Sequence, residues 1–376
     1  MSPISSTQPL TSPSTPLWSD PVRQALFETW FTSLRDTHHL VPSSVCLASA
    51  DASFRRYLRV DTAPGGPQHS LIIMDAPPDR EDCEPFVHVA ELMAKAGLKV
   101  PEVLAWDKTH GFMLLTDLGM QTLKQVIRPD EAPPLNLYLD AVETLIQWQL
   151  ASREGVLPAY DRPLLLREME LFPQWYIAGH RQFTLDTAQR TTLDDAFAKI
   201  VANNLTWPSV YVHRDFMPRN LMVPNEVTGA EASQVRVGAR HLGVLDFQDA
   251  VYGPITYDIA SLMRDAFLSW DEDFCLDVTI RYWEKARKAG LPVGSDFGEF
   301  YRGVEWMGLQ RHLKVAGIFA RLSLRDGKPQ YLADTPRFIE YMRATCGRYM
   351  ELKPLLRLIE RVEGIPVPNA YAFGRA

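Results

Sequence analysis

Residues 210–220 read V-Y-V-H-R-D-F-M-P-R-N, and most of the fold prediction follows from them. The first three residues are β-branched or aromatic and predict a short strand. His213, Asp215 and Asn220 follow in the order H-x-D-x-x-x-x-N. A positioned carboxylate can accept a proton from a hydroxyl group, and an amide oxygen can hold a hard cation such as Mg²⁺. The stretch therefore predicts a catalytic loop in which Asp215 and Asn220 act together.

A second stretch completes the predicted site. Residues 241–250 read H-L-G-V-L-D-F-Q-D-A, and Leu242, Val244 and Leu245 predict a buried strand that ends at Asp246. The order and spacing of the two stretches resemble protein kinases, in which an Asp orients the attacking hydroxyl while an Asn and a second Asp hold Mg²⁺.

Composition limits the class of protein. A chain of 376 residues is long enough for two domains, and 46% hydrophobic and 23% charged residues are typical of a globular protein. A net charge of −7 argues against a nucleic-acid partner, since phosphate backbones bind basic faces. The four cysteines are far apart and form no C-x-x-C, so we expect a reduced cytoplasmic protein without a zinc site.

Three segments are predicted along the chain. Residues 1–17 are rich in Ser, Thr and Pro, lack charge and do not resemble a secretory signal, so we expect a disordered leader. No apolar run approaches the roughly 18 residues of a membrane helix, so we expect no membrane partner. We predict an N-lobe at 18–118 and a helical C-lobe at 119–376, in an α+β, protein-kinase-like bilobal fold, and we expect a monomer.

The predicted N-lobe is a small sheet with helices. Periodicity predicts helices at 18–37 and 85–96 and strands at 45–48, 54–60, 71–74, 103–106 and 112–115. The turn at 49–53 lies where kinases close over ATP, yet it contains no glycine. The hydroxyl groups of Ser49 and Ser53 are candidates to contact phosphate, and an ordinary hairpin is the alternative.

The third strand departs from the kinase pattern. Residues 71–75 read L-I-I-M-D and lack the lysine that reaches the α and β phosphates in kinases. Arg55 and Arg56, near Arg59 on the preceding strand, are candidates for the missing charge, because a guanidinium binds phosphate well. Solvated arginines are the alternative. Thr116 and Leu118, at the predicted link between the lobes, are candidates to contact adenine.

The predicted C-lobe is mainly helical. The pattern predicts helices at 135–152, 164–176, 181–204 and over most of 274–360, a polar hairpin loop at 224–240 and a turn at Gly253 and Pro254. Asp258 lies near the start of a further helix, where a carboxylate can accept backbone N–H groups. We expect it to brace the catalytic loop.

Two features suggest the kind of substrate. Trp175 belongs to an aromatic group that would either stack on a sugar or belong to the core. Residues 301–345 hold eight Lys and Arg against four Asp and Glu. This excess suits a neutral or anionic substrate better than a polycation, and a solvated basic face is the alternative. Arg311 and Lys314 belong to this region.

The motifs resemble a superfamily of small-molecule kinases. Residues 213–220, 245–249 and 257–262 resemble the aminoglycoside phosphotransferase and choline kinase superfamily, and the likeness covers roughly residues 44–345. Residues 51–57, 74–78, 111–119 and 310–321 resemble the branch of anomeric sugar kinases of cell-wall recycling. The resemblance implies ATP- and Mg²⁺-dependent phosphorylation of the C1 hydroxyl of N-acetylmuramate and N-acetylglucosamine. In Gram-negative bacteria this reaction feeds a bypass route to UDP-N-acetylmuramate.

The resemblance also implies roles for residues. Asp215 would be the base or orienting group, His213 would order the loop, and Asn220 and Asp246 would hold Mg²⁺. Asp249 would contact the sugar or a second metal ion.

Arg311 and Lys314 are candidates for the N-acetylmuramate carboxylate because of the local excess of positive charge. Two alternatives stay open. The first is an aminoglycoside or amino-alcohol kinase, and the second is a nucleotide-binding pseudokinase, which the missing strand lysine suggests.

Overall fold

The computed structural model describes residues 18, 20–50, 54–66, 68–128, 131–224, 238 and 242–366. These residues form two compact units. The first contains the described residues up to His88 together with Pro101–Leu118. The second contains Val89–Val100 and the described residues from Gly119 onward. The predicted leader at 1–17, residues 51–53 of the first turn and most of the predicted 224–240 loop lie outside the described residues.

A five-stranded antiparallel sheet and one helix form the core of the first unit. The helix is α1 (Pro21–Arg35), and Asp20 caps it by accepting the Val22 N–H at 2.9 Å. The strands, in the spatial order β1-β2-β3-β5-β4, are β1 (Cys46–Ala50), β2 (Arg56–Asp61), β3 (Ser70–Asp75), β4 (Val103–Asp107) and β5 (Phe112–Thr116). The apolar face of α1 buries Phe27 and Phe31 against the sheet.

Helix α2 (Glu84–Lys95) belongs partly to each unit. The predicted N-lobe contained the whole of this helix, whereas its residues from Val89 onward cluster with the second unit. Two hydrogen bonds explain this assignment. Gln147 Nε2 donates to the Ala96 carbonyl at 2.7 Å, and the Lys99 carbonyl accepts the Val244 N–H at 2.8 Å.

Helices dominate the second unit. They are α3 (Leu123–Val126), α4 (Leu135–Leu150), α5 (Arg162–Met169), a π-helix (Phe172–His180), α6 (Thr187–Asn204), α7 (Thr256–Met263), α8 (Glu272–Lys288), α9 (Phe297–Leu324), α10 (Thr335–Arg348) and α11 (Lys353–Glu363). The strands are β6 (Gln121–Thr122), β7 (Ser209–Val212), β8 (Leu221–Val223), β9 (Gly243–Val244) and β10 (Val251–Pro254). The α+β prediction is confirmed. None of the described helices is long and apolar enough to cross a membrane.

Two helix predictions in this unit were wrong at their boundaries. The single helix predicted at 164–176 is divided, because α5 ends at Met169 and a π-helix begins at Phe172. Pro173 has no N–H to donate to the preceding turn, so it favours a new start. Helix α6 begins at Thr187 and not at residue 181, because Asp186 and Gln189 cap its N-terminus reciprocally.

The predicted turn at Gly253 and Pro254 is a strand. Both residues belong to β10, which pairs antiparallel with β7 and aligns Gly253 with Val210. A Cβ atom at Gly253 would lie 2.5 Å from Tyr160 Cβ. The glycine therefore permits close approach of a neighbouring chain segment, and it does not form a turn. The predicted strand up to Asp246 is shorter, since β9 ends at Val244.

Helix α9 is the central helix of the second unit. It has 28 residues, and almost every side chain from Gly303 to Ala320 is buried. Gly317 allows α9 to approach the start of the π-helix, because a Cβ atom there would lie 2.4 Å from the Leu171 carbonyl carbon. Gly317 therefore lets α9 pack directly against the backbone of Leu171, which follows α5 in the chain.

We expect Gly317→Ala to destabilise the protein by about 1–3 kcal/mol, the usual cost of overpacking. The clash is with backbone atoms, which cannot rotate away. Gly347→Ala is the matched control, since Gly347 is also helical and nothing lies within 4 Å of its added Cβ. That variant should gain about 0.4–1 kcal/mol. Urea unfolding of both variants measures the difference, and equal stability of the two would contradict the packing argument.

Candidate active site

The turn after β7 is held by a buried carboxylate. Asp258 in α7 accepts the His213 N–H at 2.7 Å and the Arg214 N–H at 3.1 Å, as the sequence predicted. Burial raises the pKa of Asp258 to about 7, and the two backbone N–H groups oppose that rise. Arg214 has a φ of 73°, a left-handed conformation that is rare for a long side chain. The brace therefore holds a strained turn immediately before Asp215.

His213 connects the two motif stretches. Its ring Nε2 is 3.0 Å from the Leu245 carbonyl, which can only accept, so Nε2 carries the proton. The other nitrogen, Nδ1, then accepts the Asp215 N–H at 3.2 Å. Burial lowers the pKa of His213 to about 4, so the ring is neutral at pH 7. These contacts support the predicted role of His213 as an ordering residue.

Asn220 brings the two predicted metal ligands together. Its Nδ2 donates to the Asp215 carbonyl at 2.9 Å and to Asp246 Oδ2 at 3.2 Å. Because the amide nitrogen is committed to these acceptors, the amide oxygen is the atom that can face a cation. Asp246 itself has a φ of 63°, and its Oδ1 accepts from Gln248 Nε2 at 2.9 Å. Arg214 and Asp246, one in each motif stretch, thus both have a left-handed backbone conformation.

We expect Asp258→Asn to lower kcat by about 10²-fold, the loss that a small misplacement of a catalytic group can cause. An amide offers one acceptor oxygen, so one of the two backbone N–H groups would face an N–H₂ group. The turn before Asp215 would then shift, although nucleotide affinity should be kept. Steady-state kinetics and titration of a nucleotide analogue measure the two quantities, and a fall in both would indicate general unfolding instead.

The predicted substrate residues have different environments. Asp249 is exposed, and its backbone carbonyl accepts from Arg214 Nη1 at 3.2 Å. Arg311 is only 1% exposed, and its Nη2 lies 3.9 Å from Asp215 Oδ1. Its Nε and Nη1 are buried without a hydrogen-bond partner among the described residues. Arg311 is thus a desolvated cation directly beside Asp215.

Lys314 is committed to protein groups. Its Nζ lies 3.0 Å from Glu168 Oε1 and 3.3 Å from the Tyr257 hydroxyl, and its side chain is 9% exposed. Trp175 is half-buried in the π-helix, and the structure gives it no hydrogen bond or ring contact with the described residues around Asp215. The rings of Phe172 and Tyr176 are buried and stack at 5.3 Å, which favours the core alternative for these two residues.

The predicted excess of positive charge is largely neutralised. Most basic side chains of 301–345 form ion pairs with acids, some of them outside that window. The pairs are Arg302 with Glu351, Lys314 with Glu168, Arg325 with Asp326, Arg337 with Asp334 and Arg343 with Glu360. A charge count therefore overestimated the positive field of this region, whose Arg311 forms an ion pair with Asp215.

The nucleotide candidates belong to the first unit. The side chain of Ser49 and all of Ser53 lie outside the described residues. The Thr116 hydroxyl accepts the Glu102 N–H at 2.9 Å, and Leu118 is 8% exposed.

The three arginines of residues 55–59 all contact acids. Arg55 lies 3.0 Å from Glu81, Arg56 lies 2.5 Å from Asp75, and Arg59 lies 2.6 Å from Asp117. Asp75 also binds Arg23, at 2.5 Å. Each arginine is thus at least partly neutralised by a neighbouring carboxylate, which weakens its attraction for phosphate.

Glu168 and the side chain of Arg214 were not predicted to belong to the site. Glu168 is 6% exposed and lies 2.5 Å from Arg214, although the two are far apart in the chain. No local spacing signals such a pair. The one available signal was the presence of an acidic residue on a helix that is otherwise apolar on its inner face.

The comparisons with known proteins agree with this geometry. The sequence profile of the phosphotransferase enzyme family matches residues 44–293, which is more than half of the chain. The chain belongs to the phosphotransferase enzyme family. The family assignment confirms that this phosphotransferase is an enzyme, as the resemblance of its motifs predicted.

Curated relatives narrow the comparison. This phosphotransferase is 47% identical over 319 residues to an N-acetylmuramate/N-acetylglucosamine kinase of Neisseria meningitidis, covering 84% of this chain and 90% of the relative. It is 46% identical over 320 residues to the kinase of the same name from Pseudomonas aeruginosa, covering 85% and 88% of the two chains. The predicted branch of the superfamily is therefore confirmed.

Solved structures confirm the fold. A Plasmodium vivax ethanolamine kinase matches with a TM-score of 0.58 at 10% identity, covering 88% of this chain and 91% of that chain. An aminoglycoside 2′-phosphotransferase solved with GDP also matches with a TM-score of 0.58, at 14% identity, covering 87% and 98%. At such low identity these matches concern architecture alone, and they confirm the kinase-like fold.

Proposed function

We propose that the chain transfers the γ-phosphate of ATP to the C1 hydroxyl of N-acetylmuramate, N-acetylglucosamine or both. The proposal rests mainly on one observation, which is 45–47% identity to three kinases of that name along 84–85% of this chain. We place the reaction in peptidoglycan recycling in the cytoplasm, where ATP is present, and four unpaired cysteines agree with a reducing compartment.

Asp215 is the group that we assign to the acceptor hydroxyl. Its side chain is 38% exposed, so it is open to a substrate, while its backbone is fixed by His213 and Asn220. An ionised carboxylate in this position orients the hydroxyl and accepts its proton as the phosphoryl group is transferred. His213 is neutral and committed to the backbone, so its part is to position Asp215.

Asn220 and Asp246 fit a Mg²⁺ site. One supplies an amide oxygen and the other a carboxylate, which are the hard oxygen donors that this ion prefers. The hydrogen bond from Asn220 Nδ2 to Asp246 Oδ2, at 3.2 Å, holds the two side chains together. Asn220 and Asp246 would hold Mg²⁺ through these oxygens, and the ion would supply positive charge that neutralises the transferred phosphoryl group.

The remaining assignments follow from charge and position. We assign the adenine contact to the segment around Thr116 and Leu118, and the phosphate contact to the turn of Ser49 and Ser53. Arg55 and Arg56 remain the proposed phosphate cations, which requires each of them to share its charge with an acid. On the acceptor side we assign Asp249, Trp175, Arg311 and Lys314.

We expect Arg311→Met to raise the KM for N-acetylmuramate about 10–100-fold, which corresponds to the loss of one charged hydrogen bond. N-acetylglucosamine lacks the carboxylate, so its KM should change little. The two sugars compared on one enzyme form an internal control. An equal loss on both sugars would show that Arg311 acts on Asp215, its neighbour at 3.9 Å, and not on the carboxylate.

The decisive test is ADP release with ATP, Mg²⁺ and a panel of acceptors. The panel contains N-acetylmuramate, N-acetylglucosamine, kanamycin and choline. The methyl glycoside of N-acetylglucosamine is the matched control, because its C1 oxygen carries no proton and cannot accept phosphate. NMR of the product should show a phosphate on the anomeric carbon.

The outcomes separate the competing functions. Turnover of either amino sugar with no turnover of its methyl glycoside supports the proposal. Faster turnover of kanamycin or choline would favour the aminoglycoside or amino-alcohol alternative. ATP binding without ADP release in the presence of any acceptor would identify a pseudokinase.

A further inference from the structure

Glu168 contacts four other side chains, one of which belongs to the residue before Asp215. It lies in α5 and is 6% exposed. Its Oε1 lies 2.5 Å from Arg214 Nη2 and 3.0 Å from Lys314 Nζ. Its Oε2 accepts from Gln310 Nε2 at 3.2 Å and from the Tyr160 hydroxyl. Since both oxygens are fully used, Glu168 is neither a base nor a metal ligand in this arrangement.

Glu168 is charged in this environment. Burial alone would raise its pKa, but Lys314 and Arg214 hold the pKa of Glu168 at about 2. A charged, saturated carboxylate fixes its partners strongly, because charge-assisted hydrogen bonds are shorter and stronger than neutral ones. Of its two charged partners, Arg214 is the one that directly precedes Asp215 in the chain.

Arg214 joins the two motif stretches through its side chain. One guanidinium nitrogen, Nη2, is held by Glu168, and the other, Nη1, donates to the Asp249 carbonyl at 3.2 Å. The first stretch carries Asp215, and the second carries Asp246 three residues before Asp249. The side chain of Arg214 thus connects the stretch that carries Asp215 to the stretch that carries Asp246.

The backbone of Arg214 makes this anchoring important. Its φ of 73° is a left-handed conformation that is unfavourable for a residue with a Cβ atom. Such a conformation persists only when its surroundings over-determine it. Asp258 holds the backbone N–H of Arg214, and Glu168 holds the end of its side chain.

We propose that Glu168 is a positioning residue that, through Arg214, sets the placement of Asp215 relative to Asp246. The inference rests on the proposed phosphoryl transfer at that site. Glu168 does not touch substrate, so its removal should lower kcat while the KM values for ATP and sugar stay close to wild type. Loss of the placement should cost about 10²-fold in kcat.

The experiment compares Glu168→Gln with two matched controls. Tyr160→Phe and Gln310→Met each remove one hydrogen bond to Glu168 Oε2, and both leave the pair with Arg214 intact. We expect a large fall of kcat in Glu168→Gln alone, with unchanged KM values. If Glu168 served only the stability of the fold, the three variants would have similar kcat values and would differ only in melting temperature. That result would overturn the inference.

A double-mutant cycle tests whether the effect of Glu168→Gln on kcat depends on Arg214. Arg214→Gly relieves the strained backbone and removes the side chain that Glu168 holds. In that background Glu168→Gln should lower kcat little further, because the connection is already lost. An undiminished effect in the Arg214→Gly background would overturn the proposal.

Two further measurements keep the test decisive. If Glu168→Gln does not fold, Glu168→Asp keeps the charge but withdraws it by one methylene, and it should still lower kcat with unchanged KM values; an unchanged kcat overturns the inference. Hydrolysis of ATP in the absence of sugar, measured as ADP formation, gives a second rate for every variant. Absence of sugar turnover in the wild type would contradict the proposed function, whereas a variant as active as wild type contradicts only the role of Glu168.

Discussion

Asp215→Asn is expected to lower kcat by about 10²–10⁴-fold, the usual contribution of a positioned base. The amide has the shape of the carboxylate but cannot take a proton from the acceptor hydroxyl. The backbone of residue 215 should stay in place, because its N–H is bound by His213 and its carbonyl by Asn220. Nucleotide affinity should therefore change little. Single-turnover ADP formation and titration with a nucleotide analogue measure the two expectations.

The control for this prediction is Asp277→Asn. Asp277 lies in α8, is 43% exposed and pairs only with Arg281 on the same helix among the described residues. The same chemical change there should leave kcat at the wild-type value. If Asp215→Asn kept more than about a tenth of the wild-type rate, Asp215 would not be the base, since such groups contribute at least about 10²-fold.

Asp246→Asn is expected to lower kcat by roughly 10²–10³-fold, because metal ions supply several kcal/mol of charge stabilisation in the transition state. Asn tolerates the left-handed backbone that residue 246 adopts, with a φ of 63°, so the loop should keep its conformation. The variant lacks the negative charge that Mg²⁺ requires. The concentration of Mg²⁺ that gives half-maximal activity should rise strongly.

The Mg²⁺ titration distinguishes this explanation from loss of folding. Melting temperatures of wild type and Asp246→Asn without Mg²⁺ should be similar, because the change removes little packing. Removal of metal ions with a chelator should abolish wild-type turnover, and added Mg²⁺ should restore it. An unchanged Mg²⁺ dependence in Asp246→Asn would remove this residue from the metal site.

Local sequence was sufficient for the arrangement within each motif. The strand before His213 and the spacing to Asn220 place Asp215 at a strand end, and these features depend on residues a few positions apart. Asp258 could also be anticipated, because an acid at the start of a helix commonly accepts backbone N–H groups. The absence of a lysine on the third strand was visible in the sequence as well.

The burial of charged side chains and the identity of their ion-pair partners could not be predicted from local sequence. Arg311 and Lys314 counted as two free positive charges, yet Lys314 is paired with Glu168 and Arg311 is desolvated beside Asp215. Arg55 and Arg56 counted as phosphate cations, yet each contacts an acid. The acids that neutralise them come from distant positions.

Sequence by itself indicated the class of fold through hydrophobic periodicity and the family through the resemblance of its motifs. Short spacings within those motifs gave the candidate residues Asp215, Asn220 and Asp246. Tertiary structure decided that Gly253 is a close contact and not a turn, that the middle of α9 is almost entirely buried, and that Glu168 contacts Arg214. The physical reason is that periodicity is a property of neighbouring residues. The energy of a buried charge depends instead on whichever distant groups the folded chain brings within a few ångströms.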